Sequence, residues 1–270
     1  MQPRKGFRGG GGYAIMVLKI QRRRLPPQRG RRRRGVSMKE KEVPELKVIA
    51  RIHSDFSGKF GIPRQSGLVE ELESAVVFEP EYRREDALRG IEDFTHLWLI
   101  WGFHKAVRER WSPTVRPPRL GGNTRKGVFA TRSPFRPNPI GLSSVKLLGV
   151  EQHPEYGHIL RVAGADLMDD TPIFDIKPYL PYADSHPEAS GGFAGHDGGK
   201  VLAVEFPPEL RALVPENKRS ALTGVLAHDP RPAYQQDPER VYGMAFAGLN
   251  IRFSVRDGVL TVRQVEKLGE

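Results

Sequence analysis

Hydrophobic residues from Leu46 onward fall in short β-type runs, and turn residues, mostly Gly and Pro, bound each run. The runs are residues 46–53, 75–78, 94–104, 127–132, 144–151 and 159–167. Short strands with Gly/Pro connections and few long helical periods favour a closed or nearly closed sheet. The pattern therefore predicts a mainly β fold on a single β-barrel, with one early helix over residues 82–89 that stops at Gly90.

The pattern changes after the glycine-rich residues 191–199. A strand over residues 201–206, an amphipathic helix over residues 208–226 and a hairpin at Asp257-Gly258 follow, which is typical of a small α+β domain. The predicted organisation has four parts. They are a disordered tail (residues 1–43), a barrel domain (residues 44–190), a Gly-rich linker (residues 191–200) and a C-terminal α+β domain (residues 201–270).

The formal net charge of +11 is concentrated in the tail. Residues 1–39 contain 13 Lys/Arg and no acid, whereas the rest of the chain has 30 Lys/Arg against 32 Asp/Glu, a balance of −2. The body is therefore nearly neutral, and any anion site on it is local. The tail itself is open to three interpretations: a basic arm on RNA, a solvated extension ahead of a later start at Met16 or Met38, or an organellar transit peptide.

Several classes of site are excluded by what the sequence lacks. There is no Cys, so disulfides and cysteine-based metal sites are ruled out, and no HExxH pattern occurs, so no metal is expected. GxxxxGK[ST], a GxGxxG after a strand and GxSxG are also absent, which argues against Walker, Rossmann and serine-hydrolase sites. No apolar run reaches about 18 residues, the length that a membrane-spanning helix needs.

Residues 116–141, here called the basic segment, carry the clearest chemical signal. They contain six Lys/Arg, four Gly and five Pro and no acid. Helices and central strands avoid this composition, so the segment predicts rigid surface loops that present positive charge to an anion.

Four further features each have a functional and a structural interpretation. Residues 60–67, FGIPRQSG, are either a surface turn or a loop that grips a planar or anionic ligand. His104 ends an aromatic strand and is more simply a surface histidine. Trp98 and Trp101 should face opposite sides of one strand, one in the core and one in an interface or ligand wall. Asp175 and Lys177 are either turn caps or members of a site.

Taken together, residues 60–67, 94–104, 116–141 and 175–184 resemble the TrmO family, the tRNA (adenine-37-N6)-methyltransferases acting on N6-threonylcarbamoyladenosine. The resemblance runs from about residue 48 to residue 184, and residues 229–234, DPRPAY, match an element of that family's C-terminal domain. It implies a cytoplasmic enzyme that uses S-adenosyl-L-methionine on a β-barrel instead of a Rossmann sheet. It also implies a homodimer with cofactor and substrate near the subunit interface.

The resemblance places cofactor contacts on eleven residues. They are Pro63, Arg64, Gln65, His104, Lys105, Arg132, Leu142, Ala163, Gly164, Ala165 and Asp166. S-adenosylmethionine carries a carboxylate, an ammonium, a ribose and a flat adenine. Arg64 or Arg132 is suited to the carboxylate, Asp166 to the ribose or ammonium, and Leu142 to the adenine.

The acceptor nucleoside needs a cation for its threonyl carboxylate and a group that takes the N6 proton. Arg136, Asn138 and Lys177 are the candidates for gripping the modification, and Asp175 is the weaker candidate for a base. The remaining cations of the basic segment are assigned to phosphates of the anticodon stem-loop or to the partner subunit. They are Arg116, Arg119, Arg125 and Lys126.

Two other functions stay open on the sequence: a non-catalytic RNA-binding barrel and a methyltransferase acting on a small molecule. One departure from the family pattern lies near the proposed base, because Asp170 occupies a position where the family usually has glycine.

Overall fold

A computed structural model describes residues 45–106, 109–195, 201–232, 235 and 237–269, without the side chain of Arg119. The expected tail, half of the expected linker (residues 196–200), and Ala233 and Tyr234 of the DPRPAY element lie outside these residues. The described residues all fall within one compact unit, Glu45–Glu270.

Six strands hydrogen-bond to one another in a closed cycle. They are β1 (Ala50–His53), β2 (Glu73–Phe78), β3 (His96–Gly102), β6 (Ile140–His153), β7 (Gly157–Ala163) and β8 (Thr171–Pro178). The order is β1-β2-β7-β6-β3-β8, and β8 pairs with β1 to close the cycle. Every pair is antiparallel. Two short strands, β4 (Thr114–Val115) and β5 (Lys126–Gly127), form a separate ladder between β3 and β6 in the chain.

Alternating apolar positions fill the inside of this ring. On β3, Leu97, Leu99 and Trp101 are buried while Trp98 and Ile100 lie half-buried on the other face, because successive side chains of a strand point to opposite sides. The two tryptophans thus face opposite sides, as the sequence predicts. The buried core of the ring consists of Ala50, Ile52, Val76, Phe78, Leu97, Leu99, Trp101, Val145, Leu160, Val162, Ala165, Leu167 and Ile173.

Strand direction brings three connections to one end of the ring. Strands β1, β3 and β7 end there, and β2, β6 and β8 begin there, because each strand runs antiparallel to its neighbours. The connections are residues 54–72, 103–139 and 164–170. Most of the residues that the sequence nominates for ligand binding lie on one of these three loops; the exceptions are Leu142, Ala163, Asp175 and Lys177.

The C-terminal part forms a second sheet with its own core. The strands β9 (Ala203–Glu205), β10 (Tyr242–Phe246), β11 (Leu249–Arg256) and β12 (Val259–Lys267) pair in the order β10-β11-β12-β9. Two helices, α2 (Pro208–Ala212) and α3 (Glu216–Ala227), follow β9; a third, α1 (Pro181–Asp184), precedes it. None of the helices in the described residues is long and apolar enough to cross a membrane.

The first connection, residues 54–72, packs into this second core. Phe56, Val69 and Leu72 are buried there together with residues of α3 and β10–β12. The fit is close at α3, because a Cβ added to Gly224 would lie 2.7 Å from Cγ1 of Val69. An ion pair of 2.7 Å joins the Lys218 ammonium on α3 to the Asp55 carboxylate. The second sheet therefore holds the connection in place.

The expected mainly β fold is confirmed, whereas three expected elements differ. Residues 127–132 are not a strand: only Lys126–Gly127 pair, and a 3-10 turn follows at Val128–Ala130. Residues 82–89 form two 3-10 turns, Pro80–Tyr82 and Glu85–Leu88, in place of a helix. The predicted helix over residues 208–226 is two helices, because Pro215 starts α3 with an extended backbone.

Two other features complete the comparison. The hairpin at Asp257-Gly258 is confirmed: it joins β11 to β12, with φ of 52° and 80° at its two central residues. Strand β8 was not predicted, because Pro172, Asp175 and Pro178 give its sequence the composition of a turn.

The Lys218–Asp55 pair yields a test of how the second sheet holds the first connection. Lys218→Met leaves the Asp55 carboxylate, whose side chain is only 12% exposed, without its cation. We expect the free energy of unfolding in urea to fall by about 2 kcal/mol. The matched control is Lys267→Met, at the exposed last residue of β12, which should change it little. Equal losses in the two variants would show that the ion pair does not anchor the connection.

Candidate functional site

The loop at residues 61–67 lies against the turn at residues 163–166. The Gly67 N–H donates to the Gly164 carbonyl at 2.8 Å, and the Gly164 N–H donates to the Leu72 carbonyl at 2.9 Å. Gly164 has φ of 76°, and a Cβ added to it would lie 3.3 Å from the backbone nitrogen of Gly67. Glycine at 164 therefore provides both the left-handed backbone and the close approach.

A chain of hydrogen bonds runs from the core of the ring to Asp166. Trp101 Nε1–H donates to Ser143 Oγ at 3.0 Å, and Ser143 Oγ–H donates to Asp166 Oδ1 at 2.5 Å. Burial raises the pKa of Asp166, and the Ser143 hydroxyl, the Arg132 guanidinium and the Ser66 backbone N–H each oppose part of that shift. The chain fixes the position of a carboxylate that has lost much of its water.

Gln65 and Arg132 complete this group. Arg132 Nη1–H donates to Gln65 Oε1, which joins the 61–67 loop to the basic segment. We call Gln65, Arg132 and Asp166 the polar cluster. Three residues from three different connections thus present an amide, a guanidinium and a carboxylate at one end of the ring.

The other cofactor candidates on the loops are placed differently. Pro63 is buried, and Arg64 Nη2–H donates to the Arg231 carbonyl at 3.2 Å, so Arg64 turns toward the DPRPAY element. Arg231 is itself held by the Asp229 carboxylate at 2.8 Å. Of the two basic candidates for the cofactor carboxylate, the structure places only Arg132 in the polar cluster.

His104 and Lys105 follow β3 directly. Burial lowers the pKa of His104, with a further contribution from the neighbouring Lys105 charge. Within the described residues, His104 Nε2 is buried without a hydrogen-bond partner. The Lys105 carbonyl accepts from Lys59 Nζ at 2.8 Å. Burial therefore favours the neutral form of His104, and its buried Nε2 has no partner among the described residues.

A groove of about 600 Å³ lies on the outer face of the ring beside the 61–67 loop. Its volume is in the range of ordinary small-molecule sites. The lining residues are Ser66, Gly67, Glu70, His96, Trp98, Ser144, Lys146, Ala163, Gly164, Tyr179 and Asp184. Of the predicted cofactor residues, Ala163 and Gly164 line the groove, and Leu142, 56% exposed, lies one pleat from Ser144 on the same face of β6.

One wall of the groove is aromatic. Trp98 Nε1–H donates to Asp184 Oδ2 at 2.9 Å, and the Trp98 and Tyr179 rings have centroids 5.5 Å apart. The Leu180 N–H and the Trp98 N–H hold the pKa of Asp184 below its usual value. The sequence indicates only Trp98 as part of a ligand wall. It does not single out Tyr179 or Asp184, although both belong to the 175–184 motif. Strand register, which sequence does not reveal directly, brings them to Trp98.

The catalytic candidates lie on or beside the same outer face. Asp175 is in register with Ile100, and Lys177 is in register with Trp98. Lys177 Nζ pairs with Asp175 Oδ2 at 2.9 Å, while the Ile176 N–H donates to the other carboxylate oxygen. Asn138 is exposed just before β6. Asp170, at the family's glycine position, has φ of 62°, a conformation that Asp tolerates better than most residues.

The cations of the basic segment do not converge on one point. Arg125 donates to Thr114 Oγ1, Lys126 lies 5.8 Å from the Phe193 ring centroid, and Arg136 donates to the Thr131 carbonyl. Arg116 is exposed, and the side chain of Arg119 lies outside the description. Among the described residues, no group of three or more His, Asp or Glu side chains is placed to hold a metal ion.

Comparison with known proteins accounts for most of the chain. Residues 51–185 match the profile of the tRNA-methyltransferase O N-terminal domain, and residues 199–268 match that of the TrmO C-terminal domain.

Two relatives are named tRNA (adenine(37)-N6)-methyltransferase. The protein of Escherichia coli K12 is 44% identical over 82% of this chain and 97% of its own length. That of Eikenella corrodens is 44% identical over 64% of this chain and 97% of its own length. The crystal structure of TrmO from Pseudomonas aeruginosa superposes with a TM-score of 0.68 and 33% identity, over 83% of this chain and 98% of that one. Both domain profiles match in sequence order, and the first of them covers the groove and the polar cluster. The chain therefore belongs to the TrmO family of tRNA methyltransferases.

Proposed function

We propose that this chain methylates N6 of N6-threonylcarbamoyladenosine at position 37 of tRNA, beside the anticodon. The family makes it an S-adenosylmethionine-dependent tRNA (adenine-N6)-methyltransferase. The threonylcarbamoyl group and the anticodon stem-loop are the finer parts of the proposal. The observation that carries it is the polar cluster of Gln65, Arg132 and Asp166 at the end of the ring where the three connections meet.

The residues present fit the cofactor. A guanidinium, a desolvated carboxylate and a glycine-lined loop match a ligand that has its own carboxylate, ammonium and flat adenosine. Arg132 would hold the cofactor carboxylate, Asp166 the ammonium or ribose, and Leu142 with the backbone of residues 163–165 the adenine. When bound, S-adenosylmethionine supplies a methyl group on a sulfonium. The hydrogen bond from Ser143 keeps Asp166 aimed at the ligand.

The acceptor requires orientation and removal of one proton. N6 of the modified adenosine is part of a urea, so its lone pair is delocalised and attack demands close alignment. As the new N–CH3 bond forms and the methyl–sulfur bond breaks, the N6 proton must leave. Asp175 is the proposed acceptor of that proton. Lys177 Nζ pairs with Asp175 Oδ2 at 2.9 Å and so fixes the orientation of the carboxylate.

Arg136 is proposed to bind the threonyl carboxylate, with Asn138 as a second hydrogen-bond donor. Arg116, Arg119, Arg125 and Lys126 are proposed to contact phosphates of the anticodon stem. Exposed unpaired loop bases are accessible to such an enzyme, unlike bases stacked in a duplex. A homodimer that brings a partner surface over the outer groove remains part of the proposal, because the groove is open and its aromatic wall is only half-buried.

Nucleoside mass spectrometry tests the reaction directly. tRNA from a strain lacking this chain should lose the N6-methylated nucleoside and accumulate threonylcarbamoyladenosine. Expression of the wild type should restore the methylated form, while Asp175→Asn should not, because Asn accepts no proton from N6. An unchanged nucleoside profile in the deletion strain would sink the assignment, and full rescue by Asp175→Asn would remove that residue from the mechanism.

Arg132 and Arg125 provide a matched pair within the basic segment. Arg132→Ala should weaken S-adenosylmethionine binding about tenfold or more, since it removes the charged donor for the cofactor carboxylate. Arg125→Ala should leave that affinity unchanged and instead raise the KM for tRNA, with a weaker salt dependence of tRNA binding. Calorimetry and steady-state kinetics measure the two effects. Unchanged cofactor affinity in Arg132→Ala would exclude its carboxylate role.

Asp166 should show opposite effects on stability and binding. Because burial raises its pKa, the folded chain holds this proton more tightly than the unfolded chain does. The stability of the fold therefore decreases as pH rises from the unfolded pKa to the folded pKa, and above the folded pKa the ionised carboxylate costs stability. Asp166→Asn should therefore have a Tm at pH 7 at least equal to that of the wild type, with roughly tenfold weaker cofactor binding. The Tm difference should shrink as pH falls below the usual carboxyl pKa. A less stable variant with normal affinity would contradict this role.

A further inference from the structure

Two aromatic side chains of the second connection are unusually exposed. Trp111 is 52% exposed and Phe129 is 73% exposed. Their ring centroids lie 6.3 Å apart with an interplanar angle of 30°, so the two rings form one apolar surface. Neither residue has a part in the cofactor site or the methyl transfer described above. Exposed rings side by side on a loop suggest a binding surface.

The backbone holds both rings in this position. The β4–β5 ladder pairs Thr114 with Gly127 and so brings the two limbs of the connection together. The Val128 N–H donates to the Pro113 carbonyl at 2.9 Å, and the Val128 side chain is 1% exposed. Because Val128 points inward at the start of the 3-10 turn, Phe129 next to it points outward. The turn is closed by the Thr131 hydroxyl, which donates to the Val128 carbonyl at 2.8 Å.

The surroundings of the ring pair are cationic. A cavity of about 210 Å³ beside Trp111 is lined by Arg110 and Arg136, with Glu109 as its acid. Arg125 and Lys126 lie at the β4–β5 ladder that joins the two limbs. The cavity is smaller than the roughly 300 Å³ of ordinary ligand pockets, so it suits a single flat group. Aromatic rings among cations are the combination that binds unpaired nucleotides, the rings stacking on bases and the cations holding phosphates.

A second copy of the chain fits this surface less well. A two-fold interface brings the same patch of each subunit together, so the cations of the patch would face their own copies. Like charges brought together oppose association, whereas a polyanion is attracted by all of them. The charge around the rings therefore favours RNA as the occupant.

We propose that Trp111 and Phe129 form a stacking platform for an unpaired base that neighbours the target adenosine in the tRNA anticodon loop. Arg110 holds the backbone of that nucleotide, beside Arg136, which is assigned to the threonyl carboxylate. The identity of the loop rests on the proposed function, whereas binding of an unpaired base does not. Stacking of this neighbour would help to hold the loop open with the target base turned out of the stack.

Substitution of the two rings, together with a fluorescent RNA, tests the platform. Trp111→Ala and Phe129→Ala should each weaken binding of an anticodon stem-loop RNA by about 5- to 150-fold, the range for losing one base–aromatic stack. Trp111→Phe should retain most of the affinity. Calorimetric affinity for S-adenosylmethionine should not change in any of them. Tyr156→Ala, which removes an aromatic ring from the turn at the opposite end of the ring of strands, is the control and should bind RNA normally.

A stem-loop with 2-aminopurine beside position 37 reports stacking itself. Its fluorescence should be quenched by the wild type and recover in Trp111→Ala. Normal RNA affinity and quenching in both alanine variants would overturn the platform. Conversion of a dimer to monomers by these variants, without RNA, would assign the surface to a second copy. These readouts do not depend on methyl transfer. The stacking platform and the nucleoside assignment can therefore be confirmed or rejected independently of each other.

Discussion

Strand β8 is hydrogen-bonded along both edges, and this double pairing is the constraint on which the site depends. Its ladder with β1 joins Ala50 to Ile173, and its ladder with β3 joins Trp98 to Lys177. Antiparallel pairing all round the cycle then fixes which connections share an end. Three loops that are far apart in the sequence meet there, and their polar residues form the proposed cofactor site. The outer face of the same strands carries the groove, so one set of ladders positions both parts.

Local sequence signals predicted the elements whose stabilising contacts are local. Alternation along β3 placed Trp98 and Trp101 on opposite faces, and Asp257-Gly258 specified a two-residue turn with two positive φ values. The strand predicted over residues 127–132 does not form, because the Thr131 hydroxyl bonds back to the Val128 carbonyl and gives the backbone a partner outside a sheet. Strand β8 was hidden because its Pro residues oppose strand formation locally, and only its two neighbours stabilise it.

The same division applies to the candidate site. Motif resemblance nominated Gln65, Arg132 and Asp166, and the structure brings them together without testing their roles. It separates Arg64, which turns toward Arg231. The support for Asp166 comes from Ser143 and Trp101, residues with no recognisable motif of their own. Such support depends on strand register and burial, and neither can be inferred from one stretch of sequence.

The connection over residues 54–72 belongs to two structures at once. Its ends continue the ring, its 61–67 loop carries Gln65, and its Phe56, Val69 and Leu72 side chains are built into the core of the second sheet. A ligand that orders the loop therefore also stabilises the packing around α3, and unfolding of the second sheet releases the loop. Binding of a ligand at the 61–67 loop and the folding of the C-terminal part are linked equilibria. The C-terminal part thereby becomes a structural component of the proposed cofactor site, although none of its side chains needs to touch the cofactor.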